Sequence, residues 1–457
     1  MSRLTFFSVA IIGIICTFCT CKKDNPCPIC PPPQVSSVSL SAEDIQCQEV
    51  WLKLKFTDNN NPHGFALLRD GVQVASGSLV TSDTLLIDTT VVAGHTYTYT
   101  AHRLNISTVV DVSASLPIHT LDSTSHTINW IVDTLGVQGV VRDCWVFSRD
   151  NAWAVGDIHT IETDRFDSTG KWVQPFNAAR WDGRKWNLMR IIVRLTYQSS
   201  QFEADNDPIY SVFAFSQNEI MFLSSAGGVT KYINGNWVLT TIPYGQAPNG
   251  LGKMWGTSMN SMFFAGSNGR IIFYDGSAWT KIPSNTTVDL KDIYGLDANH
   301  IWIAGANAND GKSVILSFDG TKWNKIYDSD NVPAQEWYDY KSVWMDNSRL
   351  LYLASSGLPR KLNLNTMTFT TINTGQTYVS YNTRGIKQND FFVTGANSEI
   401  VHFNGSSWKL YENIQSLTAH DVWWLTIKAK PDFVMAGGGM WIQNLLNDAP
   451  VIARGNR

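Results

Sequence analysis

"FYDGSAWTKI", Phe273 to Ile282, decides how the rest of the chain is read. An aromatic residue, an Asp-Gly pair and a Trp follow one another closely. The same order returns in "RWDGRKWNLM" from Arg180, "YINGNWVLTT" from Tyr232, "SFDGTKWNKI" from Ser317 and "HFNGSSWKLY" from His402. An Asp-Gly or Asn-Gly pair supplies the positive φ angles of a tight two-residue hairpin. The Trp that follows offers a large apolar face to a packing neighbour. The motif therefore reads as scaffold, and its repetition identifies a fold rather than a ligand.

Each copy closes a longer unit. Apolar strands beginning at Val141, Ile209, Leu251, Leu290, Tyr340, Ser380 and Thr418 precede a polar turn, a second apolar strand ending in small residues, and a third strand. The closing aromatics Trp186, Trp237, Trp279, Trp323, Phe369 and Trp408 recur every 39 to 51 residues. Four short strands with their turns need about 40 to 50 residues, the period of a β-propeller blade. The expectation is a seven-bladed propeller over 126–457. The seventh unit lacks a closing hairpin, whereas "HTINWIVDTLG", His126 to Gly136, has no partner ahead of it. That segment is expected to supply the outer strand of the last blade, with Trp130 in the closing position, removing the free edges of an open array. In the fifth unit Asn365-Thr366 replaces the Gly turn. "SFDGTKW" comes near the Asp-box of sialidase-like propellers but is shorter between Asp and Trp. In that family too the box is structural.

The composition agrees with an all-β chain. Its 457 residues are 44% hydrophobic and 12% aromatic, with 33 Gly and no long amphipathic helical pattern. A net charge of -4 gives no basic footprint for nucleic acid. Five of the seven Cys precede residue 31, which argues against a disulfide-stapled fold.

The N-terminus reads as an address. Arg3 precedes an apolar run, Leu4 to Phe18, of signal-peptide length. "CKKDN" resembles the start of a mature Bacteroidota lipoprotein. The resemblance implies a signal peptide over 1–20, lipid modification of Cys21 (Cys19 being the rival), and attachment to the outer membrane on its periplasmic or cell-surface side. Residues 21–34, "CKKDNPCPICPPPQ", read as a Pro/Cys-rich tether, in which Cys27 and Cys30 form a CxxC.

Between tether and repeat, 35–122 alternates apolar and polar residues over about seven short strands. The "RDG" turn, "DTTVVAGHTYTYTA" and the closing "PIHTL" resemble a fibronectin type III domain. The resemblance implies a spacer or docking module, with Tyr97 or Tyr99 as its tyrosine corner. His63, His95 and His102 are expected at the surface or in turns.

Function on a repeat scaffold sits where the sequence fails to repeat. Three insertions stand out, Asp157 to Ala178, Ile191 to Ser211 and Tyr327 to Ser342, all expected on one face. The first offers His159, Glu162, Asp164 and Trp172 as candidate ligand-binding residues, and the third offers Trp337 and Tyr338 for stacking on sugars or peptides. The starts of the inner strands should surround a central channel. They contribute the candidates Arg142, Arg384 and His420, with Asp143, Lys253, Lys291, Asp292, Lys341 and Asp421 beside them. These could form an anion site or salt bridges that tie blades together. No G-x-S-x-G, HExxH, P-loop, zinc or EF-hand spacing occurs, so no cofactor, metal or catalytic residue is expected. The leading expectation is a non-catalytic platform for a protein or glycan, anchored to the membrane by lipid. The competing one is a glycan-active hydrolase or lyase near the first insertion.

Overall fold

The computed structural model describes residues 36–57, 62–198, 201–224, 226–243, 252–333, 338–347, 349–418, 420–442 and 447–457. The signal-peptide and tether assignments, Cys21, Cys27, Cys30 and Trp337 lie outside them. The chain divides into two compact units. The smaller takes the described residues up to Ser41, with Lys53–Leu86 and Thr98–Leu116; the larger takes Ala42–Leu52, Ile87–Tyr97 and Pro117–Arg457.

In the N-terminal region Val50–Phe56 pairs with Val38–Ile45 on one side and Asp83–Asp88 on the other. A second sheet runs in the order Val72–Leu79, His63–Arg69, Thr96–Asn105, Thr108–Val112. Alternation turns one face of each sheet inward, and Val38, Leu54, Phe56, Phe65 and Ala101 form the smaller unit's core. Asp70 and Gly71 both take positive φ, 52° and 79°, as the Asp-Gly hairpin requires. The expectation for His63 is corrected. It sits in a strand, 1% exposed, stacked on Phe56 with ring centroids 4.5 Å apart. Within the larger unit the Val92 amide donates to the Tyr97 hydroxyl (3.1 Å).

The described residues from Asn129 onward form seven four-stranded antiparallel sheets. The first runs Gln138–Ser148, Asn151–His159, Phe176–Trp181, Trp186–Met189. The second to sixth begin at Ile209–Ser216, Lys253–Ser258, Leu290–Asp297, Ser342–Trp344 and Ser380–Lys387. The seventh comprises Val422–Lys430, Phe433–Ile442, Asn447–Asn456 and, as its fourth strand, Asn129–Thr134, in register from Val451↔Thr134 to Asn456↔Asn129. One short α-helix occurs among the described residues, Glu412–Leu417, just ahead of Val422–Lys430. Among the described residues no helix is long and apolar enough to cross a membrane.

Second strands such as "MFFAG" and "DFFVTG" are buried almost throughout. They are apolar on both faces because a sheet packs against each side. Separate cores join the first sheet to the second, the second to the third, the third to the fourth and the fourth to the fifth. Trp344 stacks on Phe391 between the fifth and sixth, and further cores join the sixth to the seventh and the seventh to the first. The first strands of successive sheets touch in the same order, and Val422–Lys430 touches Gln138–Ser148. No individual sheet closes on itself; the continuity lies in packing between sheets.

The repeated motif is built differently from the expected two-residue turn. Only Asn234-Gly235 has it, with both φ positive (49° and 89°). Tyr274 pairs with Trp279 across four loop residues, in which Gly276 alone is positive (φ 100°). Asp275 Oδ1 accepts from the Ser277 and Ala278 amides (2.8 and 2.7 Å), and these bonds hold its carboxyl below the usual range. Asp182, Asp319 and Asn404 accept the same two bonds in their loops. Both turn types place the aromatic directly opposite the Trp. The pairs Trp181–Trp186, Tyr232–Trp237, Tyr274–Trp279, Phe318–Trp323 and Phe403–Trp408 have centroids 4.4 to 5.3 Å apart. In the fifth sheet Met367 (φ 54°) takes the left-handed position without a Gly.

Candidate functional site

The ladder between first and second strands skips one residue at the same place in five sheets. The skipped residues are Arg142, Tyr210, Lys291, Tyr381 and Leu425. A β-bulge re-aims the side chain it displaces, and all five line one cavity of about 280 Å³ at the entrance to the ring of first strands. Lys253 and Lys341, from the third and fifth sheets, line it as well.

One residue further along, Asp143, Ser211, Asp292, Ser342, Asn382 and Thr426 form a buried belt beneath this mouth. Asp143 accepts from Ser211 Oγ (3.1 Å), the Val212 amide (3.2 Å) and Thr426 Oγ1 (3.1 Å), and pairs with Lys253 Nζ (3.0 Å). Asp292 accepts from Ser342 Oγ (2.6 Å), the Val343 amide (3.0 Å) and Arg384 Nη2 (2.7 Å). Asn382 donates to Ser342 Oγ and accepts from the Ile427 amide. Burial alone would raise both aspartates' pKa values. Lys253 and Lys428 beside Asp143, and Arg384 beside Asp292, outweigh it and hold both carboxyls below the usual range. The belt ties neighbouring sheets together, and Arg384 belongs to it.

A deeper cavity of about 200 Å³ holds Lys428 over the Trp145 ring, 5.1 Å from its centroid. Burial, then the charge of Arg384, push the Lys428 ammonium down to about 8.

At the mouth the cations are unequally satisfied. Lys253 pairs with Asp143, Lys291 with Asp289 (3.2 Å) and Lys341 with Asp339. Arg142 lies over the Tyr210 ring, 4.2 Å from its centroid, and its buried Nε has no hydrogen-bond partner among the described residues.

The other candidates lie apart. His159 Nδ1 is 2.6 Å from Asp164 and its Nε2 is 3.0 Å from Asp157, so both ring nitrogens are engaged. Glu162 pairs with Arg165. Trp172 packs edge-on against Phe166 (5.2 Å) in a small hairpin. Tyr338 is covered by Arg360, 3.9 Å from its centroid, beside Phe369. His420 is exposed and lines neither channel cavity, because the seventh sheet's bulge falls at Leu425; the sequence alignment placed that inner strand too early. Among the described residues no group of three or more His, Cys, Asp or Glu is arranged to hold a metal. Sequence reasoning missed Tyr210, Tyr381 and Lys428. The first two occupy the position equivalent to Arg142 in their repeats, each following the first residue of its unit (Val141, Ile209, Ser380), so comparing that column of the repeats was the available signal.

No protein-family model matches the chain, and no curated protein matches it. Solved structures do. One described as YCF48 bound to D1 peptide superposes with a TM-score of 0.53 at 10% identity, covering 73% of this chain and 97% of that one. YCF48 from Cyanidioschyzon merolae and the WD40 β-propeller domain of Doa1 each give 0.48, at 12% and 10% identity; both cover 72% of this chain and 98% of theirs. The fold is a β-propeller. At such identity the likeness carries the fold alone, so the propeller's chemistry must be argued from its own residues.

Proposed function

We propose that this chain is a cell-envelope lipoprotein whose propeller is a non-catalytic platform, binding a protein or glycan at the channel mouth. The observation that carries the reading is the cavity lined by displaced inner-strand side chains: five bulges at one repeat position aim cationic, aromatic and apolar groups at a single point. Structural closure alone needs the belt beneath, not the bulged residues above it. One solved structure similar to this chain is described as bound to a peptide, which favours a peptide-like ligand here.

In this reading residues 1–20 are the signal peptide, 21–34 the tether from lipid-modified Cys21, 35–122 a fibronectin type III-like spacer, and 126–457 a seven-bladed propeller. Asn129–Thr134 closes it as the outer strand of the last blade. Asp133 supports that closure, since its carboxylate accepts from Arg454 of the seventh sheet (2.5 Å) and from Trp186 Nε1 of the first (2.9 Å). The bond from the Val92 amide to the Tyr97 hydroxyl supports the spacer assignment. The anchor would hold the chain on the outer membrane. Palmitate labelling of the expressed chain, lost on Cys21→Ser, tests it.

The platform is tested by glycan-array binding and affinity capture with the purified full chain, repeated with Arg142→Ala. Specific capture that the substitution abolishes is the expected result; absence of any bound protein or glycan overturns the proposal. The competing reading, a glycan-active hydrolase or lyase, draws on His159 with Asp157 and Asp164. It requires turnover of a polysaccharide that His159→Ala abolishes.

A further inference from the structure

The channel mouth has the makings of a site for one particular group. Its cations outnumber its available carboxylates: Asp292 is taken by Arg384 and Asp339 by Lys341, while Lys253 and Lys291 each have a carboxylate of their own. Arg142 is the cation of this mouth without a carboxylate among the described residues. Its guanidinium carbon lies 4.2 Å from the Tyr210 ring centroid, within cation–π range. A planar fork with free N–H donors matches a carboxylate in two parallel bonds, which a lysine ammonium does not.

The rest of the lining limits what carries that carboxylate. Tyr210, Tyr381, Leu425, Ala306 and Ala308 give the cavity an apolar wall. Its volume, about 280 Å³, lies just under the ligand-pocket range of roughly 300–1,000 Å³. That space suits one amino-acid residue entering end-on. It does not suit a sugar chain lying across the face, and one face of each tyrosine ring is already covered, Tyr210 by Arg142 and Tyr381 by Lys341.

We infer that the mouth captures a peptide carboxylate, either a free C-terminus or an acidic side chain of an extended segment, with Arg142 as its fork and the tyrosine–leucine wall holding the adjoining apolar part. This rests on the platform reading and specifies its ligand. Lys253 and Lys291 add positive potential from either side while remaining tied to their own carboxylates.

The test uses the purified full chain and fluorescein-labelled, sequence-randomised pentapeptide pools read by anisotropy. One pool has free C-termini, a second is amidated, a third is amidated with a fixed internal Glu, and an oligogalacturonate serves as an acidic glycan. Binding of the free-acid pool or the internal-Glu pool, at least about tenfold tighter than the plain amidated pool, is expected, and the tighter of the two names the source of the carboxylate. Arg142→Ala should remove that difference, Arg142→Lys should restore part of it, and Arg184→Ala, in an outer hairpin, should change nothing. Unchanged melting of the Arg142 variants separates lost binding from lost fold. Equal binding of all peptide pools overturns the carboxylate inference and leaves the platform standing. Tighter binding of the oligogalacturonate overturns the peptide assignment in the same way. Binding of no pool, together with no captured protein or glycan, overturns both.

Discussion

Asp292 and Lys428 face the same channel and have opposite fates. Asp292 is 2% exposed and matched by Arg384, Ser342 and two backbone amides. Its folded pKa lies below the ordinary value, so its contribution to stability is present above about pH 4 and fades as pH falls through the folded value. Asp292→Ala leaves a buried, unmatched arginine and should cost about 3–5 kcal/mol in chemical denaturation, while replacing Asp292 and Arg384 together should cost less. Lys428 has its pKa pushed down to about 8, against an unfolded value near 10.4. Between those values the unfolded chain binds more protons, so stability should rise from pH 8 toward pH 10.4. Lys428→Met keeps the packing on Trp145, should stabilise the protein at pH 7 by at least ~1 kcal/mol, and should flatten that rise. Denaturation midpoints across the range check both signs. Sequence placed Asp292 and Arg384 near the channel but not against each other. Lys428 was invisible, because a lysine in "LTIKAK" looks like any polar residue of a half-exposed strand.

At the scale of elements, the motif that opened the reading was recognised correctly as a hairpin and given the wrong turn. Spacing predicts a hairpin between the aromatic and the Trp; that the two rings face each other across it is seen only in the structure. Whether the loop between them holds two residues or four depends on how the Asp side chain caps the backbone. The two forms should respond differently to alanine. At Gly235 a Cβ meets nothing within 4 Å, so Gly235→Ala should cost about 1 kcal/mol of backbone strain. At Gly276 a Cβ would lie 2.7 Å from the Asn260 side chain, adding a clash to the strain, and the loss in melting temperature should be clearly larger. The bulges were illegible for a related reason. A skipped residue in a strand leaves no mark in the apolar pattern of one repeat, and only the ladder to the second strand reveals it.

For the whole molecule, the pairing of Asn129–Thr134 with the chain's last strand sets the most consequential prediction. Trp130 is 6% exposed, meets Tyr411 edge-on at 5.4 Å and belongs to the core between the sixth and seventh sheets. Trp130→Ala should cost about 3–5 kcal/mol. Hydrogen exchange should then quicken in Asn447–Asn456 before the third or fourth sheet, because the loss begins where that strand pairs with Asn129–Thr134. Uniform quickening of all sheets would contradict that order.

The repeat, its period, the strand content and the mismatched ends were determined by the sequence alone. They rest on short-range periodicity and on turn chemistry, which neighbouring residues carry between them. The tertiary structure alone decided which side chains meet in the channel: the bulged residues at its mouth, the bonds between Asp143, Asp292 and distant strands, and Arg142 over Tyr210 with no carboxylate partner among the described residues. Those contacts join residues tens to hundreds of positions apart. Their register is fixed by one-residue bulges and by the packing of sheet on sheet, and neither leaves a periodic trace in the chain.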